Sequence, residues 1–399
     1  MNQSANGQLD TGIHEYLAQD RVVWGVPAAQ AVLAECDRRA ARRIMIISSK
    51  TLNRTTPAIE DIRNQLGPRH VATFDECIEH TPRASVIDAA NAARDCNPDL
   101  IVTVGGGTAI DTAKVMQIAM AHHLTRAEQL TDFHLGTNPD GSRRVPEIKP
   151  AQARQIVVPT TLGAAEFSDF GGCTDVQRGI KDGYLGKTIG AATVILDPVI
   201  TQYTPPWLWL STGIRGIDHA VEGICSVQSS PLIQATCLHA LRLFSTGLTQ
   251  SHTNPNDMQA RLHCQQAAWL AGLGILRVPY GASHGIGHSL GAVTGISHGY
   301  TSCIMLPHVM RYNLPVTRDA QTLIAQALGG NNTPADNAAD LVAQLITTLG
   351  LPIRLSAQQV DPSMHETIAR GAMENIWVKT NPRPLTEQSQ IEALLAAAQ

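Results

Sequence analysis

The chain has 399 residues, of which 43% are hydrophobic and 16% are charged, and its formal net charge is -4 at pH 7. This length exceeds what one ordinary hydrophobic core supports, so two domains are expected in a globular protein. The acidic balance and an aromatic content of 4% argue against nucleic acid as a partner, because nucleic-acid binding requires basic surfaces and stacking rings.

The cysteines and the apolar runs indicate the compartment. Eight cysteines are scattered along the chain without a Cys-X-X-Cys pair, which is typical of a reducing compartment. Residues 1–7 are polar and carry no apolar signal core, and no apolar run reaches the length of a membrane span. We therefore expect a cytoplasmic protein with no membrane partner.

Short apolar runs alternate with helical patterns over the first half of the chain. Such alternation predicts a parallel sheet with helices on both faces, the arrangement of an α/β domain. The predicted strands lie at 43–48, 71–74, 99–104, 155–159 and 193–197, and the predicted helices at 27–41, 83–94 and 105–120.

The pattern changes at Pro205-Pro206, after which the strand signals fade. Helical spacing of apolar residues then returns at 232–249, 258–273, 320–328 and 334–349. We predict a dinucleotide-binding α/β domain at 1–205 and a mainly helical domain at 206–399.

A glycine run follows the third predicted strand and opens a helix. Gly105, Gly106, Gly107 and Thr108 lie at this strand-to-helix turn, and Asp111 follows one turn later. Glycines let the backbone approach a bulky anion, and a helix N-terminus offers unpaired N–H groups and a positive dipole end. The run therefore predicts a seat for a cofactor diphosphate, although a plain tight turn has the same composition.

Two other strand ends carry polar residues suited to a dinucleotide. Ser49 and Lys50 follow the first predicted strand, where an adenosine ribose would lie. An acidic residue there would favour NAD, whereas these two also leave room for the 2′-phosphate of NADP. Thr160 and Thr161 follow the fourth predicted strand, and their hydroxyls suit cofactor phosphate or nicotinamide.

Four histidines in the second half point to an active centre. His284 and His288 are one helical turn apart, so that both rings project from one helix face, and His298 and His219 complete the set. Imidazole binds divalent metals and also carries protons near neutral pH. The spacing therefore leaves both a metal site and a proton relay open.

The order of these motifs resembles the iron-containing alcohol dehydrogenase superfamily. The resemblance rests on GGGT-x-x-D-x-x-K from Gly105, PTT-x-G from Pro159, the HAVE helix around His219 and the histidine series ending in His298-Gly299. The short loop after Thr160 and the Asn-Pro-Arg-Pro segment at 381–384 are similar to maleylacetate reductases. The match extends from about residue 20 to 390.

The resemblance implies a Rossmann-like N-terminal domain, an all-helical C-terminal domain as in dehydroquinate synthases, and an active site in the cleft between them. It implies that His288 relays a proton to the reacting oxygen and that Lys181 contacts the cofactor. The cofactor positions it implies are Gly105, Gly106, Gly107, Thr108, Asp111, Thr160 and Thr161, and the metal-ligand positions, for iron or zinc, are His219, His284 and His298.

At one position the sequence differs from the metal-dependent members of this superfamily. Those members have an aspartate four residues before the first ligand histidine. Here that residue is Arg215, and a guanidinium cannot ligate a cation. Three neutral histidines alone can still hold a catalytic zinc. Arg215 is therefore a candidate electrophile that polarises a carbonyl or clamps a carboxylate, unless it merely pairs with Asp218 or Glu222 along its own helix.

We therefore expect an oxidoreductase that uses NAD or NADP to move hydride between the cofactor and a carbonyl or alcohol carbon, with Arg215 and His288 as catalytic residues. A carboxylate-bearing small molecule is the expected substrate, and a homodimer the expected assembly. The alternatives are a metal-dependent alcohol dehydrogenase, a dehydroquinate synthase-like lyase and a non-catalytic relative. The lyase would need more basic residues near 275–300, where the sequence offers Arg277.

Overall fold

The structure is a computed structural model that describes residues 11–138, 142–330 and 333–399. The polar start at 1–7 lies outside the described residues. The strands are β1 Arg21–Trp24, β2 Ile44–Ser48, β3 His70–Phe74, β4 Leu100–Gly105, β5 Gly136–Thr137, β6 Arg143–Arg144, β7 Arg154–Pro159, β8 Phe170–Asp175, β9 Ile180–Leu185 and β10 Ala191–Leu196.

The helices up to the middle of the chain are α1 Ala28–Arg38, α2 Lys50–Thr55, α3 Ala58–Leu66, α4 Arg83–Cys96, α5 Gly107–Ala121, α6 Pro206–Cys225 and α7 Pro231–Thr253. The remaining helices are α8 Met258–Gly272, α9 Ala282–Thr294, α10 His298–Gly329, α11 Ala338–Thr348, α12 His365–Met373, α13 Ile376–Lys379 and α14 Gln388–Ala397.

Six strands form one parallel sheet in the order β1-β10-β7-β4-β2-β3. The central strands are predominantly apolar, as expected when helices cover both faces. Every residue of β2, β4 and β10 is buried. The predicted Rossmann-like sheet is therefore confirmed, and the carboxyl ends of β2, β4 and β7 meet at one edge.

The five predicted strands are present with shifts of up to two residues, but five further strands were not predicted from the sequence. Strand β1 has only four residues, and β5 and β6 form a two-residue pair. The hairpin of β8 and β9 was also missed, because its glycines and charged residues hide the alternation of apolar side chains. This hairpin has a role in the site, since it carries Lys181.

The second half is helical, as predicted, and α6 lies near its centre. Fifteen residues of α6 are buried, because neighbouring helices pack on most of its circumference. Helix α10 is much longer than the predicted 320–328. Pro307 and Pro315, which weigh against a helix in the sequence, lie inside it, and Thr317 marks a kink. The division of the chain at residue 205 remains a prediction. Among the described helices, none combines the length and apolarity that a membrane crossing requires.

Candidate active site

The three predicted cofactor segments lie side by side at the carboxyl edge of the sheet. Ser48 of β2 pairs with Val104 of β4, and Gly105 of β4 pairs with Pro159 of β7. The backbone N–H of Thr160 donates to the Gly105 carbonyl at 3.1 Å. In open α/β sheets, dinucleotides bind at this edge, so the tertiary structure brings distant sequence motifs together where a cofactor would lie.

The glycine run lets α5 begin against the neighbouring loop. A Cβ added to Gly106 would lie 2.9 Å from the Thr161 methyl carbon, so a side chain there would force the two segments apart. A Cβ added to Gly107 would meet no described atom within 4 Å, which leaves open space above the first turn. The first N–H groups of a helix lack intrahelical acceptors. Thr108 lies in this turn, and the arrangement fits a diphosphate.

The residues after β2 are already engaged in local structure. Ser49 caps α2, since its Oγ accepts from the Leu52 N–H at 3.2 Å. The Lys50 ammonium is paired with the Glu76 carboxylate, which follows β3. An acidic group therefore lies close to the expected ribose position, although it comes from the next strand and not from β2.

The β8–β9 hairpin places Lys181 over α5. The Lys181 Nζ lies 4.0 Å from an Asp111 carboxylate oxygen, and the next residue on β9, Asp182, points to the opposite side. There Asp182 pairs with the buried Arg83 at 2.6 Å. This ion pair anchors the hairpin to α4. Lys181 and Asp111 are thus brought together at the edge that carries the glycine run.

Lys114, the last residue of the glycine motif, has a structural role. It is fully buried, and its Nζ donates to the carbonyls of Ala165 and Phe170 at 2.6 and 2.7 Å and to the Ser168 hydroxyl at 3.1 Å. Burial lowers the pKa of this amine. The lysine holds the segment after β7 in place and so supports the cofactor edge of the sheet without contacting the cofactor position itself.

Helices α6 and α9 bring two of the predicted histidines into direct contact. His284 Nε2 lies 2.9 Å from His219 Nδ1, and His284 Nδ1 lies 2.8 Å from a Glu222 carboxylate oxygen. The other side of His219 hydrogen-bonds the Gly163 backbone. Because a carbonyl only accepts, His219 carries its proton there and presents Nδ1 as the acceptor. His284 must then donate from both nitrogens, which makes it an imidazolium.

The electrostatics of this pair agree with that assignment. Burial and the Arg215 charge oppose protonation of His284, but the Asp218 and Glu222 carboxylates outweigh them and raise its pKa. Burial, together with the charges on His284 and Arg215, holds the pKa of His219 well below its usual range. His219 is therefore neutral beside a charged His284.

Arg215 belongs to the same buried network. Its Nη1 donates to the Ser302 hydroxyl at 3.0 Å, and Ser302 in turn donates to Asp218 Oδ2 at 2.6 Å. Nη1 also lies 3.7 Å from that oxygen, and Ser283 donates to it at 2.9 Å. Two cations, Arg215 and His284, thus balance two carboxylates, so the network is electrically neutral.

Asp218, Glu222 and His284 form a group with metal-like spacing, their donor atoms lying within 4.8 Å of one another. Most of their ligand atoms already have hydrogen-bond partners; Asp218 Oδ1 has no hydrogen bond and lies 3.5 Å from His284 Nδ1. Glu222 accepts the N–H groups of Gly281 and Ser283 at 2.9 and 2.8 Å, and so caps the start of α9. We therefore interpret Asp218, Glu222 and His284 as part of a salt-bridge network and not as a metal site.

Two of the three predicted metal ligands, His219 and His284, are not free to hold a cation in this arrangement. His219 and His284 direct ring nitrogens at each other, and the other ring nitrogen of His284 is engaged with Glu222. The charged Arg215, buried beside them, would repel a metal ion. A cation would have to break the His219–His284 hydrogen bond and overcome this repulsion. We therefore assign no metal step to these residues.

His288 and His298 lie at the open side of the network. Their ring centroids are 5.5 Å apart, and the ring of Trp377 covers His288 at 4.7 Å. Burial, reinforced by nearby cationic groups that include Arg215 and Lys181, holds the pKa of both histidines well below the usual range. His288 Nε2 lies 3.5 Å from Arg215 Nη2, so both predicted catalytic residues face one point.

Several residues of this site were not predicted from the sequence. Ser302 and Trp377 come from α10 and α13, far along the chain from the histidine motif, and Asn375 contacts His288 from the same C-terminal segment. Asn381 accepts from the Ala282 N–H at 3.0 Å and thereby ties this segment to the start of α9. The Asn-Pro-Arg-Pro motif was the one sequence signal that pointed to this region.

Comparison with known proteins agrees with the motif order. The family model for iron-containing alcohol dehydrogenases matches residues 19–198, and the model for the C-terminal part of the Fe-containing alcohol dehydrogenase family matches residues 209–399. The chain is 31% identical to the dehydrogenase FUM7 of Gibberella moniliformis, over 94% of this chain and 96% of that protein. It is 27% identical to maleylacetate reductase 1 of Cupriavidus pinatubonensis, over 96% of each chain.

Solved structures share the fold. The crystal structure of maleylacetate reductase from Agrobacterium tumefaciens aligns with a TM-score of 0.81 over 98% of each chain, at 24% identity. At this identity the likeness supports the architecture alone. The family models together span nearly the whole chain and agree with the sheet and the helical half. The chain belongs to the iron-containing alcohol dehydrogenase family.

Proposed function

We propose that this NAD(P)-dependent oxidoreductase acts on a carbonyl or alcohol group of a carboxylate-bearing small molecule, with Arg215 serving as the electrophile in place of a metal ion. The supporting observation is the position of Arg215. It stands where the family resemblance implies an acidic metal ligand. It donates to Ser302 at 3.0 Å and directs its other terminal nitrogen toward His288.

The cofactor would lie along the carboxyl edge of the sheet. Gly105, Gly106, Gly107 and Thr108 would hold its diphosphate through the start of α5, with Asp111, Thr160, Thr161 and Lys181 nearer the nicotinamide and Ser49 nearer the adenosine ribose. The nicotinamide supplies the hydride. The protein has to exclude water, orient the substrate and stabilise the charge that develops on oxygen.

In the reductive direction, a hydride adds to the carbonyl carbon and the π electron pair moves to oxygen. Arg215 Nη2 and the ring of His288 face each other at 3.5 Å, so an oxygen near both meets two N–H donors. His288 passes its Nε2 proton to the alkoxide while Nδ1 takes one from solvent. The ring stays neutral, and the product leaves as the alcohol.

A negatively charged substrate suits the electrostatics of the cleft. The charged groups that act most strongly on His288 and His298 are cationic, and they include Arg215 and Lys181. Such a field raises the local concentration of anions. Two of the relatives are maleylacetate reductases by name, so maleylacetate is our first test substrate.

A metal-dependent alcohol dehydrogenase is the second candidate, because three histidines occupy the ligand positions that the family resemblance implies. The decisive experiment combines metal analysis with kinetics. Purified enzyme is assayed with NADH and NADPH against maleylacetate and neutral aldehydes, before and after chelation. We expect full activity on the carboxylate substrate without metal. Stoichiometric iron or zinc, with activity lost on chelation, would show that Arg215 does not replace the metal.

We also propose that the enzyme is a cytoplasmic homodimer with domains at 1–205 and 206–399. Light scattering after gel filtration tests the dimer, fractionation of the source cells tests the location, and limited proteolysis near Pro205 tests the domain division.

A further inference from the structure

The amide orientation of Asn375 is set by the backbone. Asn375 precedes α13 and caps it, since Oδ1 accepts from the Trp377 N–H at 3.0 Å. A backbone N–H only donates, so the amide oxygen must face Trp377. The Asn375 NH₂ group is then left to face His288, with Nδ2 lying 3.4 Å from Nδ1 of the ring.

This orientation has a consequence for the tautomer of His288. A neutral imidazole has one N–H donor and one acceptor nitrogen. Because the Asn375 amide presents a donor to Nδ1, that nitrogen serves as the acceptor and the ring proton lies on Nε2. Nε2–H then points toward Arg215 Nη2, which is also a donor, at 3.5 Å. Two donors that face each other need an acceptor between them, and a substrate oxygen meets that need.

Close packing keeps Asn375 in this place. A Cβ added to Gly285 of α9 would lie 2.6 Å from a Val378 methyl carbon and 2.8 Å from the Val378 nitrogen. Only glycine therefore lets α9 approach the segment that follows Asn375. The Trp377 ring, 4.7 Å from the His288 ring, covers it from the same segment. The Asn375 amide and the imidazole are thus held by surrounding structure and not by their own contact alone.

We propose that Asn375 is a positioning residue that fixes the Nε2–H tautomer of His288, so that His288 and Arg215 together present two donors to the carbonyl oxygen. The inference rests on the proposed function, which supplies the oxygen. Each turnover leaves a proton on Nδ1; that proton returns to solvent and another solvent proton binds at Nε2, and the Asn375 donor favours this form because it needs Nδ1 as an acceptor. Asn375 itself does not touch the reacting atoms.

Two substitutions separate this role from helix capping. Aspartate and serine both cap helices well, so Asn375→Asp and Asn375→Ser both retain the bond to Trp377. Aspartate is nearly isosteric with asparagine but offers Nδ1 an acceptor, which favours the opposite tautomer. We expect Asn375→Asp to lower kcat about 100-fold, the scale of losing an oxyanion donor, and Asn375→Ser to lower it less. The KM for NADH should stay within about twofold.

The tautomer itself is read from the ¹⁵N chemical shifts of histidine-labelled enzyme, with His288 assigned by difference against His288→Gln. We expect Nδ1 of His288 to be unprotonated in the free enzyme and in the dead-end complex with NAD⁺ and maleylacetate. A protonated Nδ1 in the unsubstituted enzyme would overturn the inference, as would an Asn375→Asp enzyme at least as active as Asn375→Ser. If the spectrum shows the Nε2–H form but the enzyme is inactive toward carbonyl substrates, the proposed function is wrong while the inference about the tautomer stands.

Discussion

Replacing Arg215 by methionine tests the central proposal, because it removes the charge while keeping a long side chain. At 3.7 Å from the Asp218 carboxylate, the guanidinium contributes a Coulomb attraction of about 4 kcal/mol at an effective dielectric constant of about 20. Removing one partner of a buried ion pair costs about 3–5 kcal/mol. We expect Arg215→Met to lower the free energy of unfolding by about this amount.

The catalytic effect of the same change is separate from stability. Loss of a donor to the developing oxyanion lowers kcat about 10²- to 10³-fold. Arg215→Lys keeps the charge but replaces the planar fork by a single ammonium, so it should recover stability better than kcat. Steady-state kinetics on maleylacetate, at a temperature where each variant is folded by circular dichroism, provide the measurement.

A matched control comes from Arg261, which is also a buried arginine but lies away from the histidines. It donates to the Pro255 carbonyl at 2.7 Å and to the Thr201 hydroxyl at 3.0 Å. Arg261→Met should destabilise the protein without a comparable loss of kcat. The role of Arg215 as electrophile would be refuted if Arg215→Met kept kcat/KM within about threefold of the unsubstituted enzyme, or if Arg261→Met lost as much.

Three further predictions concern the relay, the cofactor and pH. His288→Ala should lower kcat about 100-fold or more while leaving NADH affinity, measured by fluorescence titration, unchanged; unaltered turnover would remove His288 from the mechanism. Glu76→Ala releases Lys50 from an exposed ion pair, so kcat/KM for NADPH relative to NADH should rise up to about fivefold; an unchanged ratio would place Lys50 away from the 2′-phosphate. Burial raises the pKa of Glu166 from 4.5 to about 7. Because the carboxyl holds its proton more tightly in the folded protein, its contribution to folding stability is present below pH 4.5 and is lost as the pH rises to about 7. Glu166→Gln should therefore raise Tm more at pH 8 than at pH 5. Equal shifts of Tm at both pH values would contradict the raised pKa.

Local patterns of apolar residues in the sequence predicted much of the fold. Continuous apolar runs such as 44–47 and 100–102 identify buried strands, because a strand covered by helices on both faces carries apolar side chains on both sides. The hairpin that carries Lys181 follows no such pattern, since it is held by the Arg83–Asp182 ion pair across 99 residues of sequence. Helix α10 was underestimated for another reason, because its prolines weigh against a helix locally while burial in the tertiary structure sustains it.

The sequence by itself determined the parallel sheet, the glycine turn and the identity of the residues at the histidine positions, including Arg215 where an acidic ligand was expected. Only the tertiary structure decided what those residues do to one another. Whether His284 is charged depends on Glu222 and Asp218, which belong to α6 and not to its own helix, α9. Which ring nitrogen of His288 carries the proton depends on Asn375, which precedes α13. Protonation and tautomer follow from the donors and acceptors that converge in three dimensions, and spacing along one helix cannot specify them.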